Sequence, residues 1–366
     1  MKIAIIHDVF IESGGAERVL LSLLRMYPTA DVYVPLLTSE NKALLEKYTT
    51  GAVYTTVLNK VPFVHSASVL LKPILYLYWE YLDLSSYSLI ITSSHSYSSK
   101  AVLTSPYALH VSYVHTPPRY LYTEYNETRI IKKKLFRILL QPMLSWLRTR
   151  DFLAAQRPDV LVANSQVVQK RIAKYYRRES IVIYPPVLLP KKVKQSTKKK
   201  QYFLCHSRLT TQKGIDLAIR ACNALKLPLM IVGKGSEESY LRSIAGPTVT
   251  FAGYVPDEKM PVVYADAHAL IYCSIEEDFG LVPVEAMAHG VPVIGFCSGG
   301  TAETVVDGKT GVLFDEYTVE SLQHAIRKFR RASLRSDVCQ RHAQKYSEAQ
   351  FHKKMKQCIA KSLPKS

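Results

Sequence analysis

Apolar residues along the chain fall into two patterns: short unbroken runs, and stripes spaced as on one face of a helix. Their alternation predicts parallel strands covered by helices. Lys2–His7 is an apolar run that ends in a loop, Asp8 to Gly15, and helical spacing follows from Ala16 to Met26. This strand, glycine-bearing turn and helix open a Rossmann-like domain. Further strand-like runs stand at Asp31–Pro35, Leu89–Thr92, Leu109–Val114 and Val160–Asn164. The alternation restarts with Tyr202–His206 and continues through Pro228–Val232, Val249–Phe251, Ala269–Cys273 and Val291–Phe296. Tyr346–Ile359 reads as a last helix with apolar Phe351, Met355, Cys358 and Ile359.

Between the two series the text becomes IVIYPPVLLP and then KKVKQSTKKK. Paired prolines and a lysine-rich polar run mark a linker. The expected organisation is an N-terminal domain over 1–185, a linker over 186–200, a second domain over 201–345 and a terminal helix over 346–366 that packs back on the first domain. Its length of 366 residues suits two α/β domains of ordinary size.

Composition adds three constraints. The formal net charge of +18 points to an anionic partner: nucleic acid, an anionic membrane face or a phosphorylated substrate. The six cysteines are scattered without Cys-x-x-Cys or zinc-ligand spacing, which fits a reducing compartment. The opening MKIAIIHDVF is too short for a signal-peptide core, and Val69–Leu84 is interrupted by Lys72, Pro73, Glu80 and Asp83. No spanning helix is expected, and the protein is expected on the cytoplasmic side.

The chemistry concentrates in EEDFGLVPVEAMAHG, Glu276 to Gly290, which follows a predicted strand and enters a helix. Ligands of open α/β sheets sit at the carboxyl ends of strands, and a helix N-terminus there attracts phosphate. Glu277 and Glu285 bracket the turn, and a carboxylate is a strong acceptor for the vicinal hydroxyls of a sugar or ribose. Alone, Glu285 could simply complement the helix dipole and Glu277 could be a solvated loop charge. In HSRLTTQKGID, Arg208 and Lys213 lie on the loop after Tyr202–His206, where two cations can neutralise a diphosphate.

These segments resemble the retaining glycosyltransferases of family 4, whose GT-B fold sets two Rossmann-like domains face to face across a deep cleft. The resemblance rests on the Glu-x7-Glu of Glu277 and Glu285, on Arg208-Leu and Lys213-Gly, on SGGAE at Ser13–Glu17 and on HTPPRYLY at His115–Tyr122. It implies that Glu277 contacts the transferred sugar and Glu285 the donor ribose, with Phe279, Gly280 and Leu281 at the sugar and phosphates. Arg208 and Lys213 would stabilise the leaving diphosphate. Gly233, Tyr254 and Lys259 match base-pocket segments, Gly14 and Gly15 the glycine-rich first loop, and His115 the position beside the sugar. Arg119 and Tyr120 would face the acceptor. One departure is His206-Ser207, where the family more often has glycine before the arginine. IHDVF, SSHS, ANSQVV and IYPPV look especially like bacterial O-antigen and capsule mannosyltransferases, which implies GDP-mannose as donor and a saccharide or lipid-linked saccharide acceptor.

Arg129–Arg150 holds seven basic residues and no acidic one, which reads either as a basic amphipathic helix on an anionic membrane surface or as a core helix with a solvated face. No two aspartates are separated by one residue, so a metal-independent reaction without cofactor is expected. A non-hydrolysing nucleotide-sugar epimerase would share the fold. A basic nucleic-acid-binding protein is supported by charge alone, and no nucleic acid is expected as partner.

Overall fold

The computed structural model describes residues 1–11, 14–60, 71–96, 98–122, 134–190 and 201–363, with only the backbone described over 134–139. Two compact units divide the chain: Met1–Pro186 with Phe351–Ser366, and Val187–Gln350.

The first unit is built on a parallel sheet of seven strands: β1 (Ile3–His7), β2 (Asp31–Tyr33), β3 (Val53–Tyr54), β4 (Leu89–Ser94), β5 (Leu109–Val114), β6 (Val160–Ala163) and β7 (Ile181–Val182). Their order is β3-β2-β1-β4-β5-β6-β7. Parallel strands are apolar on both faces because helices cover both, and side chains alternate between the two cores. On β1, Ile3 and Ile5 pack with Val19, Leu20, Leu23 and Leu24 of the helix Gly15–Met26. Ala4 and Ile6 face the other way, toward Tyr76, Trp79, Leu144 and Leu147.

The first core is completed from the far end of the chain. Phe351, Met355, Cys358 and Ile359 of the helix Glu348–Ser362 join it, and His352 Nε2 lies 2.9 Å from the Ser22 hydroxyl. Opposite, the helix Lys134–Ala154 is pinned by a buried charge. Asp151 accepts from Lys100 Nζ at 2.5 Å, Ser98 Oγ at 2.8 Å and Tyr176 Oη at 2.8 Å. Every one of these groups is at most 1 % exposed, so the carboxylate is fully compensated. Lys132 and Lys133 of the basic stretch lie outside the described residues, as do the side chains of Lys134 and Arg137.

The second unit carries a parallel sheet of six strands: β8 (Tyr202–His206), β9 (Leu229–Val232), β10 (Val249–Gly253), β11 (Ala267–Tyr272), β12 (Val293–Phe296) and β13 (Gly311–Phe314), ordered β10-β9-β8-β11-β12-β13. Phe203, Cys205, Ala269, Ile271 and Cys273 pack with Ile215, Ala218, Ile219 and Cys222 of the helix Ile215–Leu225. All six cysteines are free thiols, and all but Cys297 are buried.

In each sheet the strand order turns back once, at β1/β4 and at β8/β11. Loops leaving adjacent strands diverge there, so the ends of those strands are where an open α/β sheet binds its ligand.

Candidate active site

In the second unit, the loops after β8 and β11 bring Lys213 and Glu277 together. Lys213 Nζ donates to Glu277 Oε2 at 2.6 Å, and the same oxygen accepts from Tyr272 Oη at 2.7 Å and Ser274 Oγ at 2.8 Å. Lys213 is placed by a sharp turn: Gly214 has φ +59°, and a Cβ there would lie 2.1 Å from the Tyr317 hydroxyl and 2.7 Å from the Cys273 carbonyl. Only glycine fits that position.

Burial works to raise the Glu277 pKa, but the Lys213 charge and the three hydrogen bonds outweigh it and hold the carboxyl down at about 2. Glu277 is therefore a permanent anion at neutral pH, an acceptor and not a proton donor. Its Oε1 accepts no hydrogen bond among the described residues, which leaves it to receive a hydroxyl.

Gly280 adopts φ +85° and caps the helix Leu281–Ala288. A Cβ on it would come within 3.7 Å of Glu277 Cγ, so the carboxylate and the helix opening are neighbours. The amides of Leu281 and Val282 have no preceding turn to bond, and Pro283 in the next position has no N–H to leave unsatisfied. A diphosphate oxygen suits such a site. Phe279 is buried against Tyr346, with ring centroids 5.4 Å apart. Glu285 is half-buried within the helix.

Arg208 is exposed on the loop after β8 and makes no side-chain contact with a partner among the described residues. Tyr254, 68 % exposed, follows β10, with Lys259 exposed a few residues on. Gly233 leaves β9 with φ +132°.

The first unit has its own cluster at the ends of β1, β4 and β5. Gly14 and Gly15 open the helix Gly15–Met26, whose first turn carries Glu17. Ser13 lies outside the described residues. His7 Nε2 is 3.6 Å from Glu17 Oε1, His7 Nδ1 is 3.0 Å from Ser93 Oγ, and Ser93 Oγ is 2.8 Å from His115 Nε2. Burial pushes the His115 pKa well below its ordinary value, with His95 and His7 adding to the effect, so the ring is neutral. Burial works to raise the Glu17 pKa, but the hydrogen bond and charge of His7, with the charge of His95, lower it on balance. Asp8 fixes the loop after β4 by accepting from the backbone N–H groups of His95 and Ser99, both at 2.7 Å. His7, Glu17 and His95 place one ligand atom each within 4.8 Å of one another, the donor set among the described residues that could hold a metal ion.

Arg119 begins the short helix Arg119–Tyr122. Tyr120 is buried, with Lys72 Nζ 3.5 Å from its ring centroid and its hydroxyl donating to the Ser96 carbonyl at 3.4 Å.

Sequence reasoning missed Tyr272 and Ser274, which hold Glu277, and His7, Glu17 and Ser93, which surround His115. Only the Asp8-adjacent His7 and the glutamate of SGGAE carried a signal. Ser93 has none, because a serine in an apolar strand gives no sign of where its hydroxyl points.

Two family profiles tile the chain. One described as Glycosyltransferase Family 4 matches residues 13–189, and one described as Glycosyl transferases group 1 matches residues 190–346. With two parallel α/β sheets of this order, the chain belongs to the family 4 glycosyltransferases and has the GT-B fold.

It is 36 % identical over 140 residues to a GDP-mannose-dependent alpha-(1-6)-phosphatidylinositol monomannoside mannosyltransferase of Mycolicibacterium smegmatis, a match that spans 34 % of this chain and 37 % of that one. It is 38 % identical over 92 residues to O-antigen chain mannosyltransferase B of Escherichia coli, spanning 25 % and 22 %. The matched part is thus little more than a third of these relatives, or less. In fold it is similar over almost its whole length to two solved structures. The lipopolysaccharide outer core galactosyltransferase WaaB superposes with TM-score 0.72 at 16 % identity, covering 99 % of this chain and 100 % of that one. Anabaena HepE in complex with UDP and glucose superposes with TM-score 0.72 at 21 % identity, covering 98 % and 99 %. Among the described residues no helix is long and apolar enough to cross a membrane.

Proposed function

We propose that this chain transfers a hexose from a nucleotide-diphosphate donor, with retention at the anomeric carbon, to a saccharide or lipid-linked saccharide in cell-surface polysaccharide synthesis. The observation that carries the reading is Glu277, an anion with one oxygen saturated and the other unbonded among the described residues, beside a helix opening that suits phosphate. Glu277 orients the sugar through its hydroxyls. Lys213, Arg208 and the amides after Gly280 take up the charge that grows on the leaving diphosphate. The acceptor hydroxyl attacks the anomeric carbon as the sugar–phosphate bond breaks, and its proton passes to the leaving phosphate oxygen. No enzyme nucleophile is needed.

Mannose from GDP-mannose is our reading of the donor, supported by likeness to the two mannosyltransferases. The reaction is read as metal-independent. Peripheral contact with the cytoplasmic face of an anionic membrane is supported by the net charge and by Met143, Trp146 and Leu153, each at least 39 % exposed on the helix Lys134–Ala154. Vesicle sedimentation of a variant with Lys132, Lys133, Lys134 and Arg137 changed to glutamine tests this contact, and loss of binding is expected.

The test of function is transfer from GDP-mannose, UDP-glucose and UDP-galactose in parallel, with and without EDTA, the product anomer read by NMR. Turnover from GDP-mannose with retention, undiminished by EDTA, is expected. Hydrolysis or epimerisation without transfer would overturn the reading.

A further inference from the structure

At the carboxyl ends of β1 and β4, His7, Glu17 and His95 offer one ligand atom each, and the three atoms lie within 4.8 Å of one another. His7 closes β1, Glu17 stands in the first turn of the helix Gly15–Met26, and His95 follows β4. His7 Nε2 faces Glu17 Oε1 at 3.6 Å, which is too long for a hydrogen bond. The ring is fully buried, and its Nε2 has no hydrogen-bond partner among the described residues. The proposed reaction does not use this nitrogen. A buried polar atom aimed at a carboxylate and bonded to nothing calls for a ligand between them.

We propose that His7 Nε2, Glu17 Oε1 and a ring nitrogen of His95 bind a divalent transition-metal ion, with zinc as the best match. Two imidazoles and one carboxylate suit zinc, whereas magnesium and calcium take oxygen ligands. Metal–ligand bonds of about 2.1 Å in a tetrahedron set the ligand atoms about 3.4 Å apart. His7 and Glu17 already stand near that separation. The third ligand closes by side-chain rotation, since the Glu17 and His95 side chains are 12 % and 22 % exposed and have room to turn. Three protein ligands leave a fourth position for water or another small ligand.

The groups behind the set support it. His7 Nδ1 is 3.0 Å from Ser93 Oγ, so a metal on Nε2 leaves the ring hydrogen on Nδ1 to donate to that hydroxyl. Asp8, fully buried, accepts from the backbone N–H groups of His95 and Ser99 at 2.7 Å and lies 3.8 Å from His95 Nδ1. It thereby fixes the loop that carries the third ligand. A dication also balances the charges of Glu17 and Asp8 at this strand end. The inference goes beyond the proposed reaction, whose diphosphate-binding groups lie in the other unit, so the two are tested separately.

The experiment is equilibrium dialysis of the chelator-stripped full-length protein against zinc, with cobalt(II) as a spectroscopic probe of the same site. The wild type should take up one zinc ion per chain. His7→Gln, Glu17→Gln and His95→Gln should each weaken zinc binding at least about 10-fold and abolish the visible absorption that cobalt gains in a four-coordinate site. Zinc should raise the melting temperature of the wild type and not of these variants. Cys297→Ser removes the exposed thiol, a rival soft ligand, and should leave zinc uptake as it is. Glu17 and His95 lie on a helix first turn and a loop, so their variants keep the test open if His7→Gln fails to fold. No zinc uptake by the wild type would overturn the proposal. So would uptake unchanged in Glu17→Gln or His95→Gln, or uptake lost in Cys297→Ser.

Discussion

Lys213 Nζ sits 2.6 Å from Glu277 Oε2, although the two residues are 64 apart in sequence and leave different strands. The contact joins the cation suited to a leaving diphosphate with the carboxylate suited to the sugar. In the proposed reaction this ammonium is shared between the carboxylate and the donor phosphates. Removing Lys213 would take away the largest influence that holds the Glu277 carboxyl below its ordinary range.

Lys213→Ala should slow transfer ~100-fold, the usual scale for losing one group that stabilises transition-state charge. It should also raise the Glu277 pKa from about 2, because the Lys213 charge is the largest influence lowering it. Carbon NMR of labelled glutamate at decreasing pH, beside a steady-state transfer assay, checks both.

Arg208→Ala should weaken nucleoside diphosphate binding while changing the unfolding free energy by no more than ~0.5 kcal/mol, as for other exposed side chains that make no structural contact. Calorimetric titration and urea unfolding of the same preparation measure the two quantities. A large loss of stability would mean that Arg208 has a structural role.

Glu277→Gln and Glu285→Gln should differ in kind. The first removes the charge that orients the reacting sugar and should lower kcat. The second should raise KM for the donor with kcat little changed, since a ribose contact is the same in ground and transition states. Both constants should be measured after circular dichroism shows a native fold.

Glu277 also links stability to pH. Its folded pKa of about 2 lies below the ordinary 4.5, so its stabilisation is complete above the ordinary value and is lost as pH falls toward the folded one. Between about pH 5 and pH 2 the wild type should lose up to ~3 kcal/mol more than Glu277→Gln. Urea unfolding of both proteins across that range checks it.

Asp151→Asn should destabilise the first unit by ~3–5 kcal/mol, because Lys100 would stay buried without its counter-charge. Tyr176 and Ser98 would lose an ionic acceptor in the same step. Thermal and urea unfolding would show the loss, and nucleoside diphosphate binding would remain, since the groups assigned to it lie in the other unit.

Apolar period was enough to mark β5 at Leu109–Val114 and β8 at Tyr202–His206 to the residue, since both runs are mostly apolar, despite His110, Ser112 and His206, and end in loops. It was also enough to place Glu277, Lys213 and Arg208 at strand ends. β11 spans Ala267–Tyr272 and not Ala269–Cys273, because its ends are defined by pairing with β8 and β12, which hydropathy does not report. β13 at Gly311–Phe314 was not legible, being four residues long and next to a glycine-bearing turn. The terminal helix announced its apolar face in Phe351, Met355, Cys358 and Ile359, and the fold shows that face in the core built on β1 and β4. The partners of each catalytic candidate were decided by tertiary structure alone. Ser93 meets both His7 and His115 because β4 lies between β1 and β5, and Tyr272 and Ser274 reach Glu277 Oε2 because the chain turns directly after β11. A sequence states which residue types are available at a strand end. Which of them share an oxygen depends on strand order and on side-chain direction, and these are properties of the folded sheet.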